Sequence, residues 1–460
     1  MMKNDPLSFR LNFITLTVAL GGLLFGFDTA VISGIIGQVR AQFSLNVVLE
    51  GWLVSSGLLG CIIGVIITGF ISDRIGRKKS ILFAGVMFLL SALGCAFANN
   101  FNFLVLARLA GGIGVGMASV LSPMYIAEFA PAKSRGRMIA YYQLAITVGI
   151  LLAYFSNAFL VSIAHNNFQS EWLQWFFTQE TWRPMFLMMA IPSIIFLILL
   201  LKIPESPRWL VLVNRKDEAH KVLHQIRTIE EASKEIDDIK NDIHKVKKRI
   251  SLLNPAVRLP LLIGMVLAIL QQFSGINAII YYGPSIFETA GIASDNALAF
   301  QVIIGTVNLL FTFVAIRYAD KFGRKFLLKT GLTGIVLSLA LCGLLFYLGQ
   351  TSGFLLLILM LVYIACFAFS LGPVTWIIIN EVFRTEVRLK GVAICTLALW
   401  VAVWLVGQFF PWLLQKAGPA VTFWLFAFFS LINLFFSWRV VKETKNKTLE
   451  EMESVFMSPH

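Results

Sequence analysis

Charge is what this sequence has least of. Only 14% of its 460 residues are Asp, Glu, Lys or Arg, where a soluble domain carries about 25%. With 58% hydrophobic residues, 40 phenylalanines and 11 tryptophans, any water-facing surface would be an apolar patch. That excludes a soluble enzyme and a disordered chain. Cysteine is scarce as well. Cys61, Cys95, Cys342, Cys366 and Cys395 are odd in number and lie in apolar runs, which argues against structural disulfides. The five histidines stand outside those runs, so no intramembrane metal site or histidine relay is available. His220 and His224 share a helix face at i, i+4, but no acidic residue follows His220 as a metalloprotease helix requires. No Walker A sequence occurs, which disfavours an ATP-driven pump. Gly111 to Gly116 fails the dinucleotide pattern at Met117 and reads as close helix packing. No metal and no cofactor are expected.

What the sequence does have is long apolar runs. Twelve stretches reach the roughly 20 residues that a helical span needs: 11–36, 47–71, 80–98, 102–127, 136–161, 183–203, 257–288, 297–316, 326–348, 353–380, 391–415 and 420–440. They are continuously apolar rather than alternating, which favours helices over a barrel. The expected fold is an all-α membrane protein of twelve transmembrane helices. The first span has no small-residue cleavage site before Gly21, so it is expected to be retained.

The net charge of +13 is distributed by side. Nearly all Lys and Arg fall in alternate loops that share a side with both ends of the chain. The other side holds only Arg40, Arg183 and Lys416, and Arg108 lies inside a span. By the positive-inside rule both termini are cytoplasmic. The basic charge therefore reports topology and no nucleic-acid partner.

One long polar stretch, 202–258, divides the spans six and six, and Glu230 to Arg249 reads as an amphipathic surface helix. The two halves echo each other. Asp73-Arg74-Ile75-Gly76-Arg77-Lys78 returns as Asp320-Lys321-Phe322-Gly323-Arg324-Lys325, and Glu128 to Arg135 returns as Glu381 to Arg388. Two parallel six-helix repeats imply a substrate site between them near the midplane. The expected units are an N-terminal bundle (1–203), a helical linker (204–256), a C-terminal bundle (257–442) and a tail (443–460). The charges at the cytoplasmic helix ends can pair when that side closes and part when it opens. The candidates are Asp73, Arg77, Glu128, Arg135, Glu205, Arg208, Asp320, Arg324, Glu381 and Arg388. Each partly exposed pair is worth only about 0–1 kcal/mol, so any bias on the motion must come from several together.

Few charges lie within the spans. Asp28 and Arg108 enter from the same side to depths of roughly 12 and 9 Å at 1.5 Å per residue. Intramembrane charges are costly and are functional candidates by default. A pair whose separation changed with the motion would change the proton affinity of Asp28, which is the physical requirement for proton coupling. A static structural ion pair is the alternative. In the seventh span, Gln271-Gln272-Phe273-Ser274-Gly275-Ile276-Asn277 precedes Tyr281-Tyr282-Gly283-Pro284. Asn277 and Tyr281 share a face, while Gly275 and Pro284 invite unwinding. Gln143 and Asn308 add uncharged amides, and Trp376 and Trp400 add aromatic faces. Such a lining suits a neutral polyhydroxylated solute better than an ion.

These motifs resemble the sugar porter family of the major facilitator superfamily over almost the whole chain. Pro204-Glu205-Ser206-Pro207-Arg208-Trp209 and the Gln271–Asn277 segment carry the resemblance most specifically, with Gly26-Phe27-Asp28-Thr29 at its start. The stretch Gly111 to Pro131 is most similar to bacterial D-xylose–proton symporters and related glucose transporters. The resemblance implies sugar contacts at Gln143, Gln271, Gln272, Asn277, Asn308, Gly372 and Trp376. It implies cavity or gate positions at Phe25, Tyr281 and Trp400, and a proton-coupling pair at Asp28 and Arg108. Passive animal relatives carry asparagine where Asp28 stands, which favours symport. Leu399 departs from an amide that contacts sugar in relatives, and Met189 from a glutamate implicated in proton transfer.

The expectation is a monosaccharide–proton symporter of D-xylose or D-glucose type, working by alternating access in the plasma (inner) membrane. Its partners would be the sugar, the proton and the lipid bilayer, and it would function as a monomer. A passive uniporter with the same cavity is the first alternative. A transport-inactive sensor is disfavoured by the short tail.

Overall fold

The computed structural model describes residues 6–131, 134–166, 168–245, 255–351, 353–383 and 387–443. Among them no strand occurs, and twelve helices or helix pairs are long and apolar enough to cross a membrane. This is a multi-pass integral membrane protein.

The first repeat runs through α1 (Pro6–Val31), a 3-10 turn Ile32–Gly34, α2 (Ile36–Gln42), α3 (Val47–Ile75), α4 (Arg77–Ala96), α5 (Phe101–Phe129) and α6 (Arg135–Ala164). Short α7 (Glu171–Gln174) leads into α8 (Trp182–Leu187) and α9 (Ala190–Leu201), which together form the sixth span. Asn46 and Asn100 accept from Leu49 N and Phe103 N, both at 2.9 Å, and so start α3 and α5 at defined residues. Gly112 and Gly116 of α5 meet the α3 backbone so closely that a Cβ would lie 1.8 Å from Gly57 O and 2.1 Å from Cys61 O. Only glycine permits that approach, and the glycine run is packing.

The linker folds as α10 (Pro207–Leu212), α11 (Lys216–Leu223) and α12 (Ile229–Lys245), the last matching the amphipathic segment expected there. Residues 246–254 lie outside the described residues. Arg227 donates to Phe129 O at 2.9 Å and Trp209 Nε1 to Asp73 O at 2.9 Å, so the linker docks on the first repeat.

The second repeat comprises α13 (Pro255–Gln272), α14 (Ile276–Thr289), α15 (Ser294–Phe322), α16 (Arg324–Tyr347), α17 (Gly353–Phe369), α18 (Leu371–Glu381), α19 (Arg388–Lys416) and α20 (Gly418–Arg439). Two of its spans are interrupted. The seventh breaks between α13 and α14, where Gly275 takes φ +88°, a left-handed conformation that suits glycine. Pro284 does not unwind the chain, contrary to expectation, and stays inside α14. The tenth span, expected to be continuous, breaks at Ser370 (φ −120°, ψ −88°) ahead of Gly372-Pro373.

The repeats meet along α3–α19 and α6–α15, and at α14 against α1 and the 3-10 turn. The contacts described here lie toward the ends remote from the basic loops. Gly51 lies against Gln408 O, and Gly305 lies against the Tyr154 ring. Ser55 donates to Gln408 Oε1 at 2.6 Å, and Gln408 Nε2 to Val48 O at 3.2 Å.

Candidate sugar and proton site

Arg108 projects from α5 toward α1, where its Nη1 lies 3.3 Å from Asp28 Oδ1. Both side chains are buried. Glycines make the slot. A Cβ on Gly57 would stand 2.9 Å from Arg108 Nη2, and one on Gly111 would stand 3.2 Å from Asp28 Oδ1. The Phe186 ring lies 5.8 Å from the guanidinium carbon, so the pair sits among backbone and an aromatic face. Three residues before Asp28 on α1, and so near its face, Phe25 meets Trp400 of α19 at a ring separation of 5.5 Å. Helix α1 thus carries both the acidic member of the charge pair and a contact with the other repeat.

In the second repeat the amides form a line. Asn277 Nδ2 donates to Gln272 Oε1 at 2.6 Å, and Gln272 Nε2 to Gln271 Oε1 at 3.3 Å. Gln271 Nε2 then donates to Leu371 O at 2.7 Å. The line runs from the break in the seventh span to the break in the tenth. Tyr363 supports it by donating to Ser274 O at 3.1 Å. Unwound backbone near the midplane offers carbonyls and N–H groups where a polar solute can use them. Trp376 is half-buried on α18 beside Gly372, and Tyr281 and Trp400 are buried. Gln143 is half-buried on α6 and Asn308 buried on α15, two helices that pack together across the repeats.

At the basic end, the charges combine within each repeat. Arg77 reaches Asp73 at 2.8 Å and Glu128 at 3.4 Å. Glu205 accepts from the backbone N–H of Arg77 and of Lys78, each at 3.0 Å, and Ser206 donates to Glu128. Arg324 reaches Glu381 at 3.2 Å. Arg135 and Arg208 are exposed. The side chains of Asp320 and Arg388 lie outside the described residues.

Two groups of residues escaped the sequence reading. Glu443 accepts from Arg324 N at 2.9 Å and Lys325 N at 3.0 Å, as Glu205 does in the first repeat. Gly76 (φ +99°) and Gly323 (φ +87°) leave room for the two carboxylates. The signal was present, because Glu205 and Glu443 each follow the last span of a repeat. The other group is Tyr154, Ser55 and Gln408 at the closed seam, which nothing in the apolar runs marked.

Residues 14–456 match the Sugar (and other) transporter family. The chain belongs to this family. Its members are transporters rather than enzymes. This sugar transporter is 39% identical over 471 residues to the arabinose-proton symporter of Bacillus subtilis (strain 168), covering 99% of this chain and 100% of that one. It is 38% identical over 478 residues to the D-xylose-proton symporter of Escherichia coli (strain K12), covering 96% and 95%. The partially occluded inward open conformation of the E. coli xylose transporter XylE superposes with a TM-score of 0.84 at 36% identity. That match covers 95% of this chain and 99% of that one. The transporter has the major facilitator fold, two six-helix repeats in parallel.

Proposed function

We propose that this sugar transporter carries a monosaccharide of D-xylose or D-glucose type together with a proton. The observation that supports this best is the buried Asp28–Arg108 pair, whose Asp28 lies on the helix that also bears Phe25. Protonation neutralises Asp28 and removes its attraction for Arg108. Because α1 touches α19 through Phe25 and Trp400, a change at the pair is felt where the repeats meet. The uncharged amides Gln143, Gln271, Gln272, Asn277 and Asn308 suit hydroxyls, and Phe25, Tyr281, Trp376 and Trp400 suit the C–H faces of a sugar ring. Gly372 offers backbone beside Gln271.

In this reading the units 1–203 and 257–442 rock about the site, joined by the linker 204–256. The chain works as a monomer in the inner membrane with both termini, the tail 443–460 included, in the cytoplasm. The closed seam remote from the basic loops corresponds to an inward-facing state. Asp73, Arg77, Glu128, Glu205, Arg324 and Glu381 would form part of the cytoplasmic gate, and Arg135, Arg208, Asp320 and Arg388 would join it when that side closes. A proton crossing about 100 mV supplies about 2.3 kcal/mol, enough for roughly 50-fold accumulation.

The test is labelled xylose and glucose uptake into proteoliposomes, with and without an inward proton gradient, for the wild type and Asp28→Asn. Gradient-driven accumulation abolished in the variant, with exchange retained, is the expected result. Equilibration indifferent to both gradient and variant would make this a passive uniporter with Asp28 a structural charge.

A further inference from the structure

Besides Pro260 in α13, two prolines sit inside helices of the second repeat, Pro284 in α14 and Pro411 in α19. Proline has no N–H, so each deprives the carbonyl four residues earlier of its helical donor. Those carbonyls belong to Ile280 and Gly407. In a membrane interior a carbonyl so freed must find another partner. Both do, and both partners are buried tyrosines. Tyr154 of α6 donates its hydroxyl to Ile280 O at 3.2 Å, and Tyr282 of α14 donates to Gly407 O at 2.7 Å. The residue after Gly407 is Gln408, which accepts from Ser55 of α3. The result is a continuous belt, α6 to α14 to α19 to α3, that leaves the first repeat, crosses two helices of the second and returns. It lies along the α6–α15 and α3–α19 contacts, where the Tyr154 ring packs on Gly305 and Leu58 on Gly407.

We infer that Tyr154 and Tyr282 are positioning residues for the transport cycle: Tyr154 holds the seam closed by capping the carbonyl that Pro284 sets free, and Tyr282, within the second repeat, fixes α14 on α19 behind that seam by capping the carbonyl that Pro411 sets free. Opening this side separates α6 from α14 and breaks at least the Tyr154 bond, leaving Ile280 O unpaired until water or another donor reaches it. The prolines therefore give closure a directional component beyond apolar packing. A seam held only by packing would gain nothing from a tyrosine hydroxyl at these places. The inference rests on the rocking motion proposed above, but not on the identity of the sugar.

The experiment reads opening without any substrate. Leu58→Cys is introduced into the full chain with its five native cysteines replaced by alanine, and labelling by a maleimide is timed in detergent. Tyr154→Phe is expected to speed labelling about two- to tenfold, the shift carried by one neutral hydrogen bond. Pro284→Ala restores the helical donor to Ile280 O, so adding Tyr154→Phe to it changes the rate by less than about twofold. Tyr282→Phe with Pro411→Ala forms a second cycle of the same kind, which stands if the first set fails to fold. Unchanged labelling in both phenylalanine variants, or a phenylalanine effect undiminished in the alanine backgrounds, would overturn the inference. Wild-type vesicles that move neither sugar while the labelling behaves as described would sink the sugar reading alone.

Discussion

The Gln271 side-chain amide donates to the backbone carbonyl of Leu371 at 2.7 Å, across one hundred residues of sequence. This bond, with a longer one of 3.5 Å from the same amide to Gly372 O, ties the interruption of the seventh span to that of the tenth. Gln271→Leu keeps the volume and removes the tie, leaving Leu371 O and Gln272 without their partner. A buried group so orphaned costs about 1–3 kcal/mol. The expected outcome is a lower melting temperature and a raised KM for sugar entry, measured by scanning fluorimetry and uptake on the same preparation.

The buried ion pair makes a double-variant prediction. Removing one partner leaves an uncompensated charge and is expected to destabilise by about 3–5 kcal/mol, while replacing both restores most of that loss. Arg108→Gln should therefore melt well below the wild type, and Asp28→Asn with Arg108→Gln should recover. If the pair carries coupling as proposed, the recovered protein still fails to accumulate sugar against its gradient. Accumulation regained together with stability would reduce the pair to a structural role.

Close backbone approach at the seam makes Gly51 sensitive to size. A Cβ there would lie 2.3 Å from Gln408 O, so Gly51→Leu cannot close α3 on α19. Net uptake should fall at least tenfold while sugar binding to the detergent-solubilised protein persists. Normal uptake by this variant would mean that the two helices need not meet during turnover.

Glu443 is expected to matter as Glu205 does. Each accepts two backbone N–H groups at the start of a helix, where a carboxylate is favoured. Glu443→Gln and Glu205→Gln should each lower stability by about 1–2 kcal/mol and slow uptake to a similar degree. A silent Glu443→Gln beside a damaging Glu205→Gln would break the equivalence of the two repeats at this point.

Outside the spans, Glu180 gives a pH prediction. Partial burial raises its proton affinity, but bonds from Arg183, Gln42 and Trp175 outweigh that and hold the carboxyl below its usual range. A depressed folded-state value contributes stability that is present above the unfolded value and lost as pH falls through the folded one. Glu180→Gln should therefore be less stable than the wild type at pH 7. The difference should close as pH drops below about 4.3, the ordinary glutamate value. Melting curves from pH 7 to pH 3 check it.

The twelve spans were legible because each must satisfy its own backbone in lipid and so announces itself by length and composition. The Asp28–Arg108 contact followed from depth arithmetic, since charges within spans are few. The Gly275 break was legible, but the Ser370 break was not, because the Gly372-Pro373 pair just after it does not by itself decide whether a helix continues. The orderly α14 around Pro284 shows why. There a neighbour takes the carbonyl that the proline frees, and that neighbour is Tyr154 of the other repeat. A phenol within an apolar run reads as packing until its partner is known. Glu443 escaped for another reason: a lone acid after the last span reads as a solvated tail until the repeat is followed to its end.

The ion pair belongs wholly to the first repeat, and the amide line from Asn277 to Leu371 wholly to the second. Most of the residues proposed to contact the sugar, with Phe25 and Gln143 the exceptions, are thus written on a different stretch of gene from the pair proposed to energise transport. Exchange of the second repeat between homologous transporters could change the cargo while leaving the energising half untouched. A lineage could in this way acquire a new carbon source by recombination near the linker, without re-evolving its means of concentrating it.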